Sequence, residues 1–592
     1  MDQVIGIDLG TTDSRVAICR NGVFQVLPSI PSFIAFRGDL SEPLFGDEAK
    51  LQVSMNPLCT VFQINRLIGK RSLDFGVKQE MSLWPFRFYS PTLDENEEPV
   101  VDVQYDGKSK TFSAVAILSL FLRNLRKIAL QDLSIGGEQD VVLDCVISVP
   151  SVFNDSQRRS VRNAAKQAGF NILRILNETS AAVIHYGVRK GVEQLDLNKS
   201  YEHHQQVEKR QKMDDEENIL VFDLGGGSLS VAIIRVKEDD NVKKFQVKSQ
   251  AGDSHLGGKD VDDRILLHCL NKFAEINKDV SPRTFTNLDR QQDGAKYLAM
   301  SLSRLRFECE RAKTAFSSRG HGDEIIQVSS FHNTKNLVCT LSFDEFQNIT
   351  KDLCTKCKMA IVQCITDANL KDPSSVDKVI ALGRSTELPG IKNLLESMFS
   401  GIIKFPGTNA VVRGAATQAS LLSGQDVINK VRRDSLMDVT SFDVSIELHL
   451  GGKQTLIRRN TKLPAQADYI LGTTSEQQVI STFRVYEQGW DELDNFVGLF
   501  KVEDIPPGTY RTPNITAKFK IDQDGILDGT AMDAHHTPDI CAGDPQPVPR
   551  PSSEPGAYNS TYPGYECSVM IYKGRFSSDD IEVLRQRNGA AM

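Results

Sequence analysis

A chain of 592 residues, a quarter of them charged and 40% hydrophobic, is too long for one core and implies about three to four folding units of ordinary globular composition. A net charge of -8 argues against a broad electrostatic grip on nucleic acid. No apolar run approaches the roughly 20 residues a membrane helix needs, and Met1 leads straight to a strand without a signal-peptide succession, so a cytoplasmic or nuclear protein with no membrane partner and mostly reduced cysteines is expected.

The first predicted element is the strand in "VIGIDLGTT", which ends in Asp8 and a turn through Gly10, Thr11 and Thr12. Residues 189–217 are a charged stretch read as a solvated loop or arm; its His203 and His204 have no third metal ligand nearby. The opening pattern then recurs in "ILVFDLGGGS", with Asp223 followed by Gly225, Gly226 and Gly227. Two such strand ends suggest two similar halves clamping one ligand. Glycines let backbone N–H groups approach an anion, and each Asp can hold a hydrated divalent cation. "AGDSHLGGKDVDD" adds Gly257 and Gly258 as a third possible phosphate turn.

Residues 304–318 read as a helix carrying Glu310, Lys313 and Ser317 on one face, a spacing that also suits a solvated ion-paired surface. A helix over 343–369 carries Cys354, Cys357 and Cys364; without a second CxxC or nearby His, buried helix cysteines are expected rather than a metal site. "VIALGRSTELPGIKNLL" is a strand, tight turn and helix, another place for a ligand at a strand end. From Asp438 to about Ala534, polar and apolar residues alternate with turn signals every 8 to 12 residues, as in a compact antiparallel sandwich. Residues 536–566 are rich in Pro, Gly and Ser and read as a linker. In "GRFSSDDIEVLRQR", Ser577 or Ser578 is placed to cap a short helix.

In this order, "GIDLGTT", "VPSVFNDSQRRS", "RILNETSAAVIHYG", "VFDLGGGS", "HLGGKDVDDR", "CERAK" and "DQDGILDG" resemble the seventy-kilodalton heat-shock chaperone family over roughly residues 1–530. Sugar kinases share the paired-Asp pattern but not the C-terminal half. The resemblance implies an α/β actin-like two-lobed nucleotide-binding domain (1–428), an interdomain linker (429–438), an all-β sandwich peptide-binding domain (439–535), a linker (536–568) and a truncated lid-helix remnant (569–592). It implies ATP or ADP with Mg²⁺ as cofactors. Asp8, Thr11, Thr12, Asp223, Gly225, Gly226, Gly227 and Ser228 would surround the phosphates and the metal, with Asp8 and Asp223 holding Mg²⁺ through water. Glu178 matches the acid near the attacking water. Glu310, Lys313 and Ser317, joined by Gly383 and Ser385, match the adenosine clamp. Pro150 and Arg158 match a relay between the domains. Implied partners are unfolded or extended polypeptide, a J-domain co-chaperone, an exchange factor or an active chaperone.

Several positions depart from the family pattern. Its catalytic Lys is Asn65 here, and loss of one preorganised charge typically costs about 10²–10³ in rate. Ser230 and Thr408 stand where the family has acids, Arg384 where a Gly lies against the adenine, and Glu387 where an Arg stacks on it. The linker retains Leu436 and Met437 as its apolar part, so weakened coupling is expected; in the peptide groove, His449 and Ser481 stand at pocket positions. The expectation is a divergent chaperone with weak or slow ATP hydrolysis. The alternative is a pseudo-ATPase scaffold or exchange factor; a small-molecule kinase would leave the sandwich without a role.

Overall fold

The computed structural model describes residues 4–572 apart from 21–22, 41, 72–73, 75–82, 90–97, 135–140, 193–215, 287–293, 425–426, 429, 449–450, 473–477, 479, 491–493, 503–513, 534–565 and 568. The chain enters on β1 (Val4–Asp8), folds back through β2 (Asp13–Arg20) and β3 (Val23–Val26), and returns as β4 (Leu143–Val149), helix α1 (Asp155–Gln167), β5 (Phe170–Asn177) and helix α2 (Glu178–Val192). These strands lie in the order β5-β4-β1-β2-β3, with β1 parallel to β4 and antiparallel to β2. The pattern repeats with β6 (Glu216–Leu224), β7 (Leu229–Asp239) and β8 (Val242–Asp253), then helices α3 (Gly258–Ile276), α4 (Ala295–Arg319) and α5 (Phe343–Asp367). It closes with β9 (Lys378–Leu382), α6 (Pro389–Phe399), β10 (Ile403–Lys404), α7 (Ala410–Leu422) and β11 (Leu436–Met437). The second order is β10-β9-β6-β7-β8-β11. Both β1 and the end of β6 are buried, which is why each reads as a continuous apolar run, and each delivers one carboxylate at its C-terminal end.

Beyond β11 the chain is β-structured. One antiparallel sheet orders 453–457, 443–447, 481–488, 494–502 and 569–572; a second orders 465–472, 514–521, 527–533 and 566–567. Val444, Ile446, Val485, Phe500, Phe519 and Leu527 share one core between them. The expected limits need correction here. Residues 566–567 are strand rather than linker and pair with 531–532; Val569–Tyr572 is strand rather than lid remnant and pairs with 499–502. Both sheets have unpaired edges that a returning chain can complete, and so short a run after the Pro-rich stretch carries little strand signal. The proposed lid helix, with Ser577 and Ser578, lies outside the described residues. The ends of the charged stretch are also regular: α2 runs to Val192 and β6 starts at Glu216, while His203 and His204 lie outside the described residues. In the expected linker, 431–432 pair with 427–428.

The sandwich is docked on the first sheet's α1 and β5. Asp155 accepts a hydrogen bond from Leu527 N (2.8 Å), and Asp155 N donates to Glu487 (3.1 Å). Arg159 pairs with Asp528 (2.8 Å), Arg162 pairs with Asp524, and Ile175 N donates to Asp524 (3.2 Å). β11 joins β8 in parallel, Phe245 opposite Leu436 and Gln246 opposite Met437. Leu436 is buried, Met437 is 37% exposed, and the next residue, Asp438, accepts from Asn177 (3.0 Å) and Ser180 (2.9 Å). Leu436 and Val439 therefore both anchor this junction in one core with Phe245 and Val247, each worth about 1.5–3 kcal/mol, on either side of the buried Asp438 carboxylate. In α5, Cys357 and Cys364 are buried core residues, and Cys354 is partly buried.

Candidate functional site

The C-terminal ends of β1 and β6 face one cavity of about 560 Å³. Its floor is acidic: Asp8 from β1, Asp223 from β6 and Glu178 from the first turn of α2 all line it. Above them three turns converge. A Cβ on Gly226 would stand 2.0 Å from the Thr12 hydroxyl, and one on Gly227 would stand 2.6 Å from Thr11, so the two halves' turns interlock only as glycine against threonine. The third turn packs backbone to backbone, since a Cβ on Gly257 would meet Gly226 at 2.6 Å. Gly258 then opens α3 on the cavity wall, presenting the positive end of a 19-residue helix to it.

Glu310, Lys313 and Ser317 of α4 form another wall, opposite Gly383, Arg384 and Ser385 after β9. Lys313 donates to Gly258 O (3.0 Å) and pairs with Asp262 (2.8 Å); Ser385 donates to Gly225 O (2.9 Å). The structure thus brings together Asp8, Gly10, Thr11, Thr12, Glu178, Asp223, Gly225, Gly226, Ser228, Gly258 and these six residues. Gly227 and Gly257 support the cradle from behind. Asn65 is buried away from the cavity wall: its amide donates to Leu9 O (2.7 Å), and its carbonyl oxygen has no hydrogen-bond partner. Ser230 accepts from Ser151 N (3.2 Å) in the strand beside Asp223.

Arg384 does not crowd the cavity. Its side chain is two-thirds exposed and ion-pairs with Asp13 across the mouth, tying the second half of the chain to the first. Thr408 and Glu387 line the wall. Sequence reasoning missed Asp13, Arg15, Lys50 and Lys259. Arg15 was findable from strand alternation plus register, because antiparallel pairing sets it directly opposite Asp8.

Elsewhere, Arg158 is buried and donates to Phe153 O (2.9 Å), Ser151 O (3.2 Å), Asn177 (2.7 Å) and Asp524 O (3.2 Å), the last of these in the sandwich. Pro150 is buried just before Ser151. Ser481 is buried in the sandwich, opposite Val502; His449 lies outside the described residues.

Burial raises the Asp223 carboxyl to about 7, helped by the charge of Asp8. Burial likewise raises Asp8 to about 6, with Arg15 opposing. Glu178 rises well above the usual carboxylate range through burial and the charges of Asp223 and Asp8. Crowded carboxylates of this kind fit a divalent cation. Among the described residues no three His, Cys, Asp or Glu side chains converge as direct ligands. The donor set therefore fits Mg²⁺, which usually keeps several waters.

A stability test follows. The folded state holds these protons more tightly than the unfolded chain, so the contribution is full below the unfolded carboxylate range and is lost as pH rises through about 6–7. In Mg²⁺-free buffer, stability should fall from about pH 5 to pH 7 by at most about 1.4 kcal/mol per pH unit for each proton released. Asp223→Asn should flatten that slope in urea titrations at the two pH values. An unchanged slope would mean that other groups carry it.

The fold and cavity define a class: a mixed α/β protein whose paired strand ends and glycine turns enclose a cavity over an acidic floor. The Hsp70 protein family model matches residues 4–539, and the chain belongs to the Hsp70 family, a family of heat-shock-type chaperones. It is similar to "Heat shock 70 kDa protein 2" of Paracoccidioides lutzii, 34% identical over 90% of this chain and 75% of the relative. It is similar also to "Heat shock 70 kDa protein" of Emericella nidulans, 34% identical over 90% and 76%. "Heat shock cognate 70 kDa protein 3" of Dictyostelium discoideum is 32% identical over 89% and 78%. Among the described residues no helix is long and apolar enough to cross a membrane.

Proposed function

We propose that this chain is a chaperone with an actin-like nucleotide domain and a peptide-holding sandwich, binding ATP in the 560 Å³ cavity and turning it over slowly. The observation that carries the reading is the convergence of three glycine turns over Asp8, Asp223 and Glu178. Thr11, Thr12, Ser228 and the turn amides hold the phosphates. Glu310, Lys313 and Ser317 hold the nucleoside. Asp8 and Asp223 would hold Mg²⁺ through water, and the ion would supply neutralisation of phosphate charge. Glu178 orders the attacking water and is placed to accept its proton. Extended polypeptide occupies the sandwich near Ser481 and His449, and the compartment is the cytoplasm. Arg158, Pro150 and the Leu436–Met437 junction carry nucleotide state to the sandwich, with J-domain and exchange factors as natural partners.

Slow turnover is supported by Asn65, whose short neutral side chain is tied to Leu9 O rather than directed at the cavity. The same observation favours, as a second reading, a pseudo-ATPase acting as scaffold or exchange factor for an active chaperone. Calorimetric titration of ATP with and without Mg²⁺ tests the binding. For the chemistry, Asn65→Lys should raise single-turnover hydrolysis by at least about tenfold with a smaller change in affinity, as expected for an interaction stronger in the transition state. A wild-type rate unaffected by both Asn65→Lys and Glu178→Ala would sink the assignment.

A further inference from the structure

The cationic side chains lining the cavity are not equivalent. Lys259 pairs with Asp262 and Glu310 (3.4 Å each), Lys313 with Asp262 (2.8 Å), and Arg384 with Asp13 across the mouth. Lys50 sits 6.0 Å from the Phe33 ring. Among these described residues only Arg15 is paired with the acidic floor, its guanidinium 3.4 Å from Asp8 Oδ2. Its place is fixed twice over: β2 is antiparallel to β1 with Arg15 opposite Asp8, and its side chain is only 14% exposed. The contact is a single long one, so most of the guanidinium's five donors remain to be shared with another anion.

We infer that Arg15 is a built-in cation of the phosphate subsite, holding the polyphosphate of a nucleotide directly and making its retention far less dependent on a divalent metal. The inference rests on the reading of this cavity as a nucleotide site. The floor carries three carboxylates, and each one that is ionised repels a polyphosphate entering without metal. Arg15 is the one floor group that attracts it. When a divalent cation occupies the floor, it satisfies Asp8 itself and Arg15 contributes less. The side chain therefore matters most when metal is removed, whereas a merely structural ion pair would matter equally in both conditions.

The experiment measures ADP and inorganic tripolyphosphate affinity by calorimetry on the full chain, in Mg²⁺ and in EDTA. The proteins are wild type, Arg15→Gln and Arg15→Lys, each first checked for an unchanged melting temperature in the ligand-free state. Wild type should lose no more than about tenfold in ADP affinity when metal is removed. Arg15→Gln should lose a further tenfold or more in EDTA and much less in Mg²⁺. Arg15→Lys should recover part of the EDTA affinity, as charge without the fork geometry. Should Arg15→Gln lower ADP affinity equally in both buffers, or not at all, the inference falls while the nucleotide reading stands. Should tripolyphosphate bind through Arg15 while ADP binds no tighter than tripolyphosphate, the anion role stands and the nucleotide reading falls. If neither probe binds wild type, both are overturned.

Discussion

Arg158→Ala is expected to release the sandwich from α1 and β5. The guanidinium is buried, and its four acceptors span Ser151, Phe153, Asn177 and Asp524. Burial works against its charge, and the carboxylates of Asp438, Glu487, Asp524 and Asp522 sustain it. Removing the cation takes the buried positive charge away from that group of acids, of which Asp522 and Asp524 keep only Arg162 as an ion-pair partner among the described residues, and truncating one partner of a buried charged network costs about 3–5 kcal/mol. The ion pairs that remain, Arg159 with Asp528 and Arg162 with Asp522 and Asp524, are partly solvated and individually worth up to about 1 kcal/mol, and they stand beside the hydrogen bonds of Asp155 to Leu527 N and Glu487 and of Ile175 N to Asp524. The chain carries a convenient reporter. Trp490 donates from the sandwich side to Gly252 O at the end of β8, while the other tryptophan, Trp84, is buried in the core beside the first sheet. Arg158→Ala should shift Trp490 emission to the red and enlarge the radius of gyration in X-ray scattering, and Arg158→Lys should fall between. Unchanged emission and scattering would show that the β11 junction and the Asp155, Arg159 and Arg162 contacts hold the sandwich without Arg158.

What was legible in the sequence had a local cause. Val4–Asp8 and 219–224 read as strands because strands buried on both faces are uniformly apolar, and the glycines and threonines after them marked the turns that now interlock. The one-face spacing of Glu310, Lys313 and Ser317 survived because α4 is a long regular helix. What was not legible depends on pairing at a distance. Arg15 is an unremarkable strand residue until the register sets it against Asp8. Arg384 stands where the family has a Gly against the adenine, and only its pairing with Asp13 shows that it is drawn to the cavity mouth. Val569–Tyr572 is too short a run to signal a strand, and its partner, Leu499–Val502, lies some 70 residues earlier. The linker's weakness was argued from Leu436 and Met437 as its whole apolar part, whereas the junction combines buried Leu436 and Val439, a strand pair and the Asp438 carboxylate.

The other large effect is expected from one methyl group. Gly383 follows β9, whose Leu382 lies beside Asp223 of β6 in a parallel pair. Its backbone has φ +79°, where an L side chain is strained by about 1–3 kcal/mol. A Cβ there would stand 2.0 Å from Leu224 O, 2.4 Å from Leu224 C and 3.0 Å from Asp223 Oδ1. The obstacles are backbone and a floor carboxylate, so no flexible side chain can yield, and overpacking adds about 1–3 kcal/mol. Relief requires β6 and β9 to part where the acidic floor and the Ser385 wall must be held together. Gly383→Ala should therefore weaken ATP binding by at least about 100-fold, roughly 2.7 kcal/mol, and lower the melting temperature. Gly401→Ala separates the two causes, because Gly401 also has positive φ (+80°) but nothing lies within 4 Å of an added Cβ. It should bear the backbone strain alone and bind ATP like wild type. A Gly383→Ala protein that binds ATP with wild-type affinity would mean that the turn after β9 is not part of the nucleotide wall.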